Sequence, residues 1–88
     1  MYFVYILKTS GNTLYIGQTS DLDRRLAEHR KKSARSAKYI KYFDSFKLVY
    51  TENFADRSSA MHREAQLKKL IHAEKETIIS KYRGIVNH

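Results

Sequence analysis

Cysteine, proline and tryptophan are absent from this 88-residue sequence, and glycine occurs only three times. Without cysteine there is no disulfide bond, no thiolate metal site and no cysteine nucleophile, which fits a reducing compartment. Without proline or a glycine-rich stretch there is no low-complexity linker. The apolar stretch at residues 1–7 is too short for a signal-peptide core or a membrane span, so we expect a strand there and a cytoplasmic protein.

Positive charge is the most pronounced feature of the composition. Seventeen lysines and arginines against nine acidic residues give a formal net charge of +8. A basic surface is common among small soluble proteins, but it also favours a polyanion partner, because neutralising phosphates releases their counterions. We expect one domain over residues 1–88 with a small hydrophobic core.

Apolar spacing predicts an α+β domain, a small three-stranded antiparallel sheet flanked by three helices in the order ββαβαα. The predicted strands cover residues 2–8, 14–18 and 45–51, and the predicted helices cover residues 20–32, 57–71 and 73–82. Asp56 is the expected cap of the second helix, and Gly84 should end the third. The apolar side of the second helix should consist of Ala60, Met61, Ala65, Leu67, Leu70 and Ile71, with Glu64 among them.

The loop of the N-terminal hairpin decides which side chains share a face of the sheet. A two-residue loop puts Tyr5 and Tyr15 on opposite faces. A three-residue loop with Asn12 in the left-handed conformation pairs Tyr5 with Gly17, and the two tyrosines become diagonal neighbours about 7 to 8 Å apart. We predict this second register, with room above Gly17 for the backbone of a ligand.

Residues 33–44 interleave basic and aromatic side chains, among them Lys38 and Tyr39. Such a segment suits a strand of nucleic acid, through phosphate contacts and base stacking. The same aromatic side chains are equally suited to pinning the segment to the core. The sequence leaves both interpretations open.

Five polar residues fall on otherwise apolar surfaces: Tyr5, Tyr15, Arg25, His29 and Glu64. Each alone has an ordinary structural explanation, such as a tyrosine with its hydroxyl at the rim of the core or a Glu64–Lys68 pair on one helix face. Together they follow a pattern: FVY and YIG on a hairpin, then T-x-x-L-x-R-R-L-x-x-H, and R-E-x-x-L-K-K in a later helix. This pattern resembles the GIY-YIG nuclease superfamily over about residues 2–80, and the A-K-Y at residues 37–39 resembles its small standalone bacterial members.

The resemblance implies metal-dependent hydrolysis of a DNA phosphodiester on a three-stranded sheet flanked by helices. It places Tyr5 and Tyr15 as the paired motif tyrosines, Gly17 as the motif glycine, Arg25 as the essential arginine, His29 at a position usually held by histidine or tyrosine, and Glu64 as the metal-binding glutamate. Phe3 and Val4 stand where the family has its glycine and isoleucine. Gln18 occupies a position that is lysine in the related excision-repair nuclease domain.

The chemistry of these residue types agrees with the resemblance. Arg25 supplies a fixed positive charge where the transition state gathers negative charge. A single carboxylate at Glu64 suits Mg²⁺ or Mn²⁺ that completes its shell with water and phosphate oxygens. We assign Tyr5 as general base, Tyr15 as its orienting partner and His29 as a second proton carrier or phosphate donor. A free phenol has a pKa of about 10, so Tyr5 needs Arg25, the metal or a hydrogen-bonded proton acceptor to act as base.

Three functions are therefore open at the level of sequence. The first is an endonuclease of branched, flapped or single-stranded DNA, with little sequence specificity or with specificity supplied by a protein partner, since the catalytic fold leaves no element for reading bases. The second is a nucleic-acid-binding module that cleaves poorly or not at all. The third is a structural or protein-interaction domain whose basic charge is incidental.

Overall fold

The computed structural model describes residues 1–31 and 45–86, and it contains one three-stranded antiparallel sheet. The strands are β1 (Tyr2–Thr9), β2 (Leu14–Thr19) and β3 (Phe46–Phe54), in the spatial order β2–β1–β3. The central strand β1 is apolar on both faces, since residues 4–7 are each at most 1% exposed. A strand of this kind needs cover on both sides of the sheet.

Helices on both faces provide that cover: α1 (Leu22–Arg30), α2 (Arg57–Lys68) and α3 (His72–Val86). On one face, Tyr5 and Leu7 pack with Leu26 of α1. On the other face, a larger cluster joins strand residues to α2 and α3: Val4, Ile6, Ile16, Tyr50, Ala60, Leu67 and Ile79. The predicted fold class and element order are confirmed.

Two aspartates fix the starts of the helices that carry the candidate site. Asp21 accepts a hydrogen bond from the backbone N–H of Arg24 at 3.1 Å and caps α1, and Asp56 accepts one from Ser59 at 2.7 Å and caps α2. These bonds satisfy N–H groups that have no partner inside a helix. The predicted cap at Asp56 is confirmed.

The hairpin has the predicted three-residue-loop register. Tyr5 faces Gly17 and Leu7 faces Tyr15 across the β1–β2 ladder. Asn12 adopts the left-handed conformation with φ of 62°, and its backbone N–H donates to the carbonyl of Thr9 at 2.9 Å. Both phenols therefore lie on the face of the sheet that α1 covers.

Several predicted boundaries were wrong by a few residues. Strand β3 continues to Phe54, because its end pairs with Tyr2 of β1. Helix α1 ends at Arg30 and α2 at Lys68, which is earlier than predicted. Helix α3 continues past Gly84, since glycine weakens a helix by about 1 kcal/mol without forbidding it.

The predicted apolar side of α2 was too wide. Ala60 and Leu67 are fully buried, but Met61, Ala65 and Ile71 are exposed, with Met61 at 47% and Ile71 at 65%. Only the line of residues spaced by three and four positions along one face touches the sheet. Within the described ranges, no helix has the length and apolar composition needed to cross a membrane.

Candidate active site

The phenol of Tyr5 lies over Gly17 in the interior of the α1 face. The residue is 1% exposed, and a Cβ at position 17 would lie 2.5 Å from the Tyr5 hydroxyl oxygen and 2.7 Å from Cζ. Gly17 does not have positive φ, so space and not backbone conformation is what requires glycine here. The predicted room for a ligand backbone is therefore wrong, because the Tyr5 ring occupies it.

His29 of α1 is completely buried beside that phenol. Its Nε2 atom lies 3.2 Å from the Tyr5 hydroxyl oxygen, within hydrogen-bonding distance. Its ring centroid is 5.6 Å from that of Tyr15 and 6.1 Å from that of Phe46, both in edge-to-face geometry. Leu26 and His29 are the buried residues of α1, and their spacing of three positions turns both toward the sheet.

Burial keeps both members of this pair uncharged near neutral pH. Desolvation raises the pKa of Tyr5 to about 12, against the lowering effect of a hydrogen bond to Arg25. Desolvation also lowers the pKa of His29 to about 4, with a further contribution from the positive charge of Arg25. A neutral imidazole has one nitrogen that accepts a proton, so the tautomer with a bare Nε2 accepts the hydrogen bond of Tyr5.

Arg25 lies one helical turn before His29 and reaches the same phenols. Its side chain is 24% exposed, and its Nη1 lies 3.3 Å from Oε1 of Glu28. Burial lowers the pKa of Arg25, but hydrogen bonding to Tyr5, Glu28 and Tyr15 outweighs it, so the net shift is upward. The guanidinium is thus a fixed positive charge held by two phenols and a carboxylate.

Glu64 comes from α2, on the opposite face of the sheet. It follows Ala60 by four positions and precedes Leu67 by three, so it shares the line of α2 that contacts the sheet. Its side chain is 21% exposed, and its Oε2 lies 3.5 Å from the ammonium of Lys68. Among the named effects on the pKa of Tyr5, the negative charge of Glu64 is the smallest.

The edge strand β2 is near both the Tyr5 hydroxyl and helix α2. The Tyr5 hydroxyl extends over Gly17 of β2, and α2 contacts both β1 and β2. Arg25 and His29 lie beside the phenol on the α1 face, and Glu64 belongs to α2, which packs on the other face of the sheet. The rings of Tyr5 and Tyr15 lie 6.4 Å apart between centroids.

Other residues expected at the site are differently placed. Gln18 pairs with Val4 and so points to the α2 face, away from the phenols. Lys38 and Tyr39 lie outside the described residues. Phe46, which borders His29, was missed as a site residue, because its place in an alternating strand gave it the appearance of a core residue.

The oxygen ligands available here suit a divalent cation that takes most of its ligands from water and from the substrate. Among the described residues, no group of three histidine, aspartate or glutamate side chains could hold a metal ion alone. Mg²⁺ does not need such a group, since it commonly takes one or two carboxylates and completes its shell with water and phosphate oxygens. The half-buried Glu64 fits this mode of binding, with Lys68 as its partner in the absence of the cation.

Comparisons with known proteins agree with this geometry. A family model described as the GIY-YIG catalytic domain matches residues 1–77. A UPF0213 protein of Natronomonas pharaonis is 39% identical over 94% of this chain and 95% of its own length, and one of Escherichia coli is 32% identical over 94% and 81%. The solution NMR structure of a UPF0213 protein from Bacillus halodurans matches with a TM-score of 0.59 and 36% identity, covering 91% of this chain and 84% of that one.

Proposed function

The chain belongs to the GIY-YIG catalytic-domain family, and from that membership we propose that it is an endonuclease hydrolysing phosphodiester bonds in DNA. The observation that supports the proposal is that polar side chains from other elements lie around the hydroxyl of Tyr5. Tyr5 is hydrogen-bonded to His29 and to Arg25, and its ring centroid lies 6.4 Å from that of Tyr15. A purely structural domain does not require this combination of groups around a tyrosine hydroxyl.

Arg25 is the group that stabilises developing negative charge. Its partial burial removes much of the screening by water, so its attraction for a phosphate oxygen is stronger than that of an exposed arginine. The hydrogen bonding to Tyr5, Tyr15 and Glu28 fixes the guanidinium before a substrate binds. Such preorganisation reduces the reorganisation needed at the moment of reaction.

Tyr5 and His29 together move the proton of the attacking water. With a pKa of about 12, the Tyr5 phenolate is scarce at neutral pH, so Tyr5 does not act alone as a base. Its oxygen can accept a proton from water as its own proton passes to His29 Nε2, 3.2 Å away. A bound phosphate makes this transfer easier, since its negative charge favours the imidazolium that forms.

Glu64 would hold the divalent cation, Mg²⁺ or Mn²⁺, which would supply Lewis-acid stabilisation at the leaving oxygen. Lys68 would then lose its carboxylate partner and become available to a phosphate. Tyr15 contributes by hydrogen bonding with Arg25 and by its edge contact with the His29 ring, and these contacts orient the other two groups.

DNA structure and not base sequence is the proposed basis of substrate choice. Within residues 1–77, which the family model matches, the described helices pack on the sheet, whereas base readout requires side chains presented to a groove by an element dedicated to it. We propose branched, flapped or single-stranded DNA as substrate, with a protein partner as the other source of specificity.

Cleavage of fluorescent linear, nicked, flapped and four-way DNA, with Mg²⁺ or Mn²⁺ and with chelator, tests this proposal. We expect metal-dependent cleavage that is lost in Arg25→Ala and in Glu64→Gln. Arg24→Ala removes an exposed arginine from the adjacent position of α1 and serves as the matched control, which should cleave like the wild type. Wild-type protein that cuts none of these substrates with either metal contradicts the proposal.

A nucleic-acid-binding module that does not cleave is the second candidate, favoured by one observation. With a pKa of about 4 His29 is a weak base, and with a pKa of about 12 Tyr5 is scarcely ionised at neutral pH. Salt-sensitive DNA binding without cleavage would support this candidate. The fully buried hydrogen bond between Tyr5 and His29 favours the nuclease, since phosphate binding alone does not need it.

A further inference from the structure

Glu28 of α1 is a carboxylate within the candidate active site that the sequence pattern did not single out. It follows Arg25 by three positions and directly precedes His29, so it lies on the part of the helix that borders the site. Its Oε1 lies 3.3 Å from Nη1 of Arg25, and the side chains of Glu28 and Arg25 are only 19% and 24% exposed. The pair therefore lies mostly out of water, beside the two phenols that Arg25 also contacts.

An acid and a base three positions apart on a helix have an ordinary explanation, the stabilisation of the helix. Pairs of this kind usually lie in water and contribute little to stability. Glu28 differs in its burial, because a charge shielded from solvent acts on its neighbours with less screening. It also differs in its partner, since Arg25 is the group proposed to bind the substrate phosphate.

The negative charge of Glu28 opposes the binding of a phosphate at Arg25. A guanidinium has five N–H donors, so Arg25 can hold Glu28 and a phosphate at the same time. The two anions then repel each other across one guanidinium, at a separation of about 7 Å. At that distance two unit charges weaken binding by about 3- to 30-fold, from surroundings like bulk water to those of a partly buried site.

The same charge favours the form of His29 that has accepted a proton. In the proposed mechanism His29 becomes an imidazolium when it takes the proton of the Tyr5 hydroxyl, 3.2 Å from its Nε2. Desolvation and the positive charge of Arg25 lower the pKa of His29, whereas the negative charge of Glu28 raises it. Glu28 thus offsets part of the effect of Arg25 on its neighbour, and the imidazolium forms more easily.

The two effects of this carboxylate have opposite consequences for substrate binding and for the chemical step. Weaker binding of the ground state is compatible with faster turnover, because kcat depends on how much better the transition state is bound than the substrate. On the basis of the proposed nuclease function, we propose that Glu28 is a positioning residue: its carboxylate weakens binding of the substrate phosphate at Arg25 and speeds the chemical step through Arg25 and His29.

Glu28→Gln tests this proposal, because it removes the charge and keeps the size of the side chain and an oxygen that can accept from Arg25. Fluorescence anisotropy with labelled flapped DNA in chelator measures binding, and single-turnover cleavage at saturating DNA with Mg²⁺ measures the chemical step. We expect Glu28→Gln to bind about 3- to 30-fold more tightly and to cleave about 3- to 10-fold more slowly. A merely structural role would not combine tighter binding with slower cleavage.

Glu28→Asp and Glu52→Gln are the controls. Glu28→Asp keeps the charge and should bind within about twofold of the wild type. Glu52 is also paired with an arginine, its Oε2 3.1 Å from Nε of Arg63, but it faces Val4 across the β1–β3 ladder and so lies on the face opposite to Tyr5. Glu52→Gln changes the net charge as Glu28→Gln does, and it should alter binding and cleavage by less than about twofold.

The outcomes separate this inference from the proposed nuclease. A wild type that cleaves, with a Glu28→Gln variant whose binding is not tighter or whose cleavage is not slower, overturns the role of Glu28 alone. A wild type that binds DNA and cuts none of the substrates overturns the nuclease. Tighter binding by Glu28→Gln then still supports the effect of Glu28 on phosphate binding, and unchanged binding overturns that effect too. A wild type that binds no DNA overturns both.

Discussion

Tyr5 and Gly17 are partners across the β1–β2 ladder, and the Tyr5 ring fills the space that a side chain at Gly17 would occupy. The phenol lies where a Cβ at position 17 would be, and its hydroxyl thereby reaches the edge strand β2, where it is hydrogen-bonded to His29 and Arg25. Gly17, the glycine of the YIG sequence, thus leaves the space in which the Tyr5 ring lies. The Tyr5 hydroxyl is positioned by packing against backbone, which is more rigid than packing against a flexible side chain.

Gly17→Ala should displace the Tyr5 ring. The added methyl would lie 2.5 Å from the hydroxyl oxygen, and the ring is packed in the core, so we expect a loss of about 1 to 3 kcal/mol in the free energy of unfolding. Cleavage should fall with it, because the hydroxyl leaves hydrogen-bonding distance of His29. Gly11→Ala, at an exposed loop position without positive φ, should change stability by less than about 0.5 kcal/mol. Equal effects of the two substitutions, in denaturant titrations and cleavage assays, contradict this account of Gly17.

His29 should make the protein less stable in mild acid. Its pKa is about 4 in the folded protein against 6.5 for a free side chain, so between these values the unfolded chain binds a proton that the native state does not. The free energy of unfolding contributed by His29 is complete above pH 6.5 and should fall by about 2 to 3 kcal/mol as the pH drops to 4. Urea titrations at several pH values measure it.

Carboxylates also titrate in this range, so the test is a difference between variants. His29→Gln should flatten the pH dependence between 6.5 and 4, whereas His62→Gln, at an exposed position, should leave it as in the wild type. If His29→Gln and wild type have parallel profiles, His29 is not a buried neutral imidazole. Its role as acceptor of the Tyr5 proton then fails as well.

At the scale of residues, the spacing in the sequence predicted which side chains lie near Tyr5. It did not predict the protonation states of those side chains. Tyr5, Tyr15, Arg25 and His29 follow from hairpin register and helical periodicity, which are short-range rules. The pKa values of Tyr5 and His29 depend on burial between elements, and the contact of Phe46 with His29 depends on how β3 meets α1. Neither is encoded in local spacing.

The hairpin loop is the element that holds the two phenols on one face. Asn12 has φ of 62°, a conformation that costs an ordinary side chain roughly 1 kcal/mol and glycine almost nothing. A loop one residue shorter or longer would move Tyr15 to the other face of the sheet relative to Tyr5. The loop therefore links an ordinary turn preference to the geometry of the site.

The free energy of unfolding of variants at Asn12 should follow this backbone cost. Asn12→Ala should lower the free energy of unfolding by about 0.5 to 1 kcal/mol, and Asn12→Gly should leave it equal or slightly higher. Asn53→Ala, at an exposed position of β3, is the matched control and should be less destabilising. Chemical denaturation measures all three. Greater stability of Asn12→Ala than of Asn12→Gly would show that the left-handed turn is not under strain.

Element boundaries depended on contacts that lie far away in the sequence. The end of β3 at Phe54 is set by pairing with Tyr2, and the narrow buried line of α2 is set by how the helix lies across β1 and β2. Element types, order and caps were predictable, because they depend on periodicity and on single residues such as Asp56. Long-range pairing has no such local signal.

At the scale of the whole molecule, the proposed catalytic groups are confined to a few residues, whereas the net positive charge is a property of the whole chain. The net charge of +8 favours association with a polyanion, and the Tyr5 hydroxyl, the proposed catalytic group, lies beside β2. The two apolar clusters, one on each face of the sheet, hold α1 and α2 in fixed relation through β1. The account depends on this relation, because Arg25 and Glu64 belong to helices that do not share a face.

Cleavage rates of Tyr5→Phe, Glu64→Gln and the double variant, at saturating DNA with metal, test most directly whether these groups form one site. Each single variant should lose about 10² to 10⁴ in rate, because Tyr5→Phe removes the hydroxyl but keeps the ring, and Glu64→Gln removes only charge. Groups that act as a unit are not additive, so the double variant should be no slower than the slower single variant. Losses that multiply in the double variant would show that Tyr5 and Glu64 act independently, which contradicts a single catalytic site at the β2 edge.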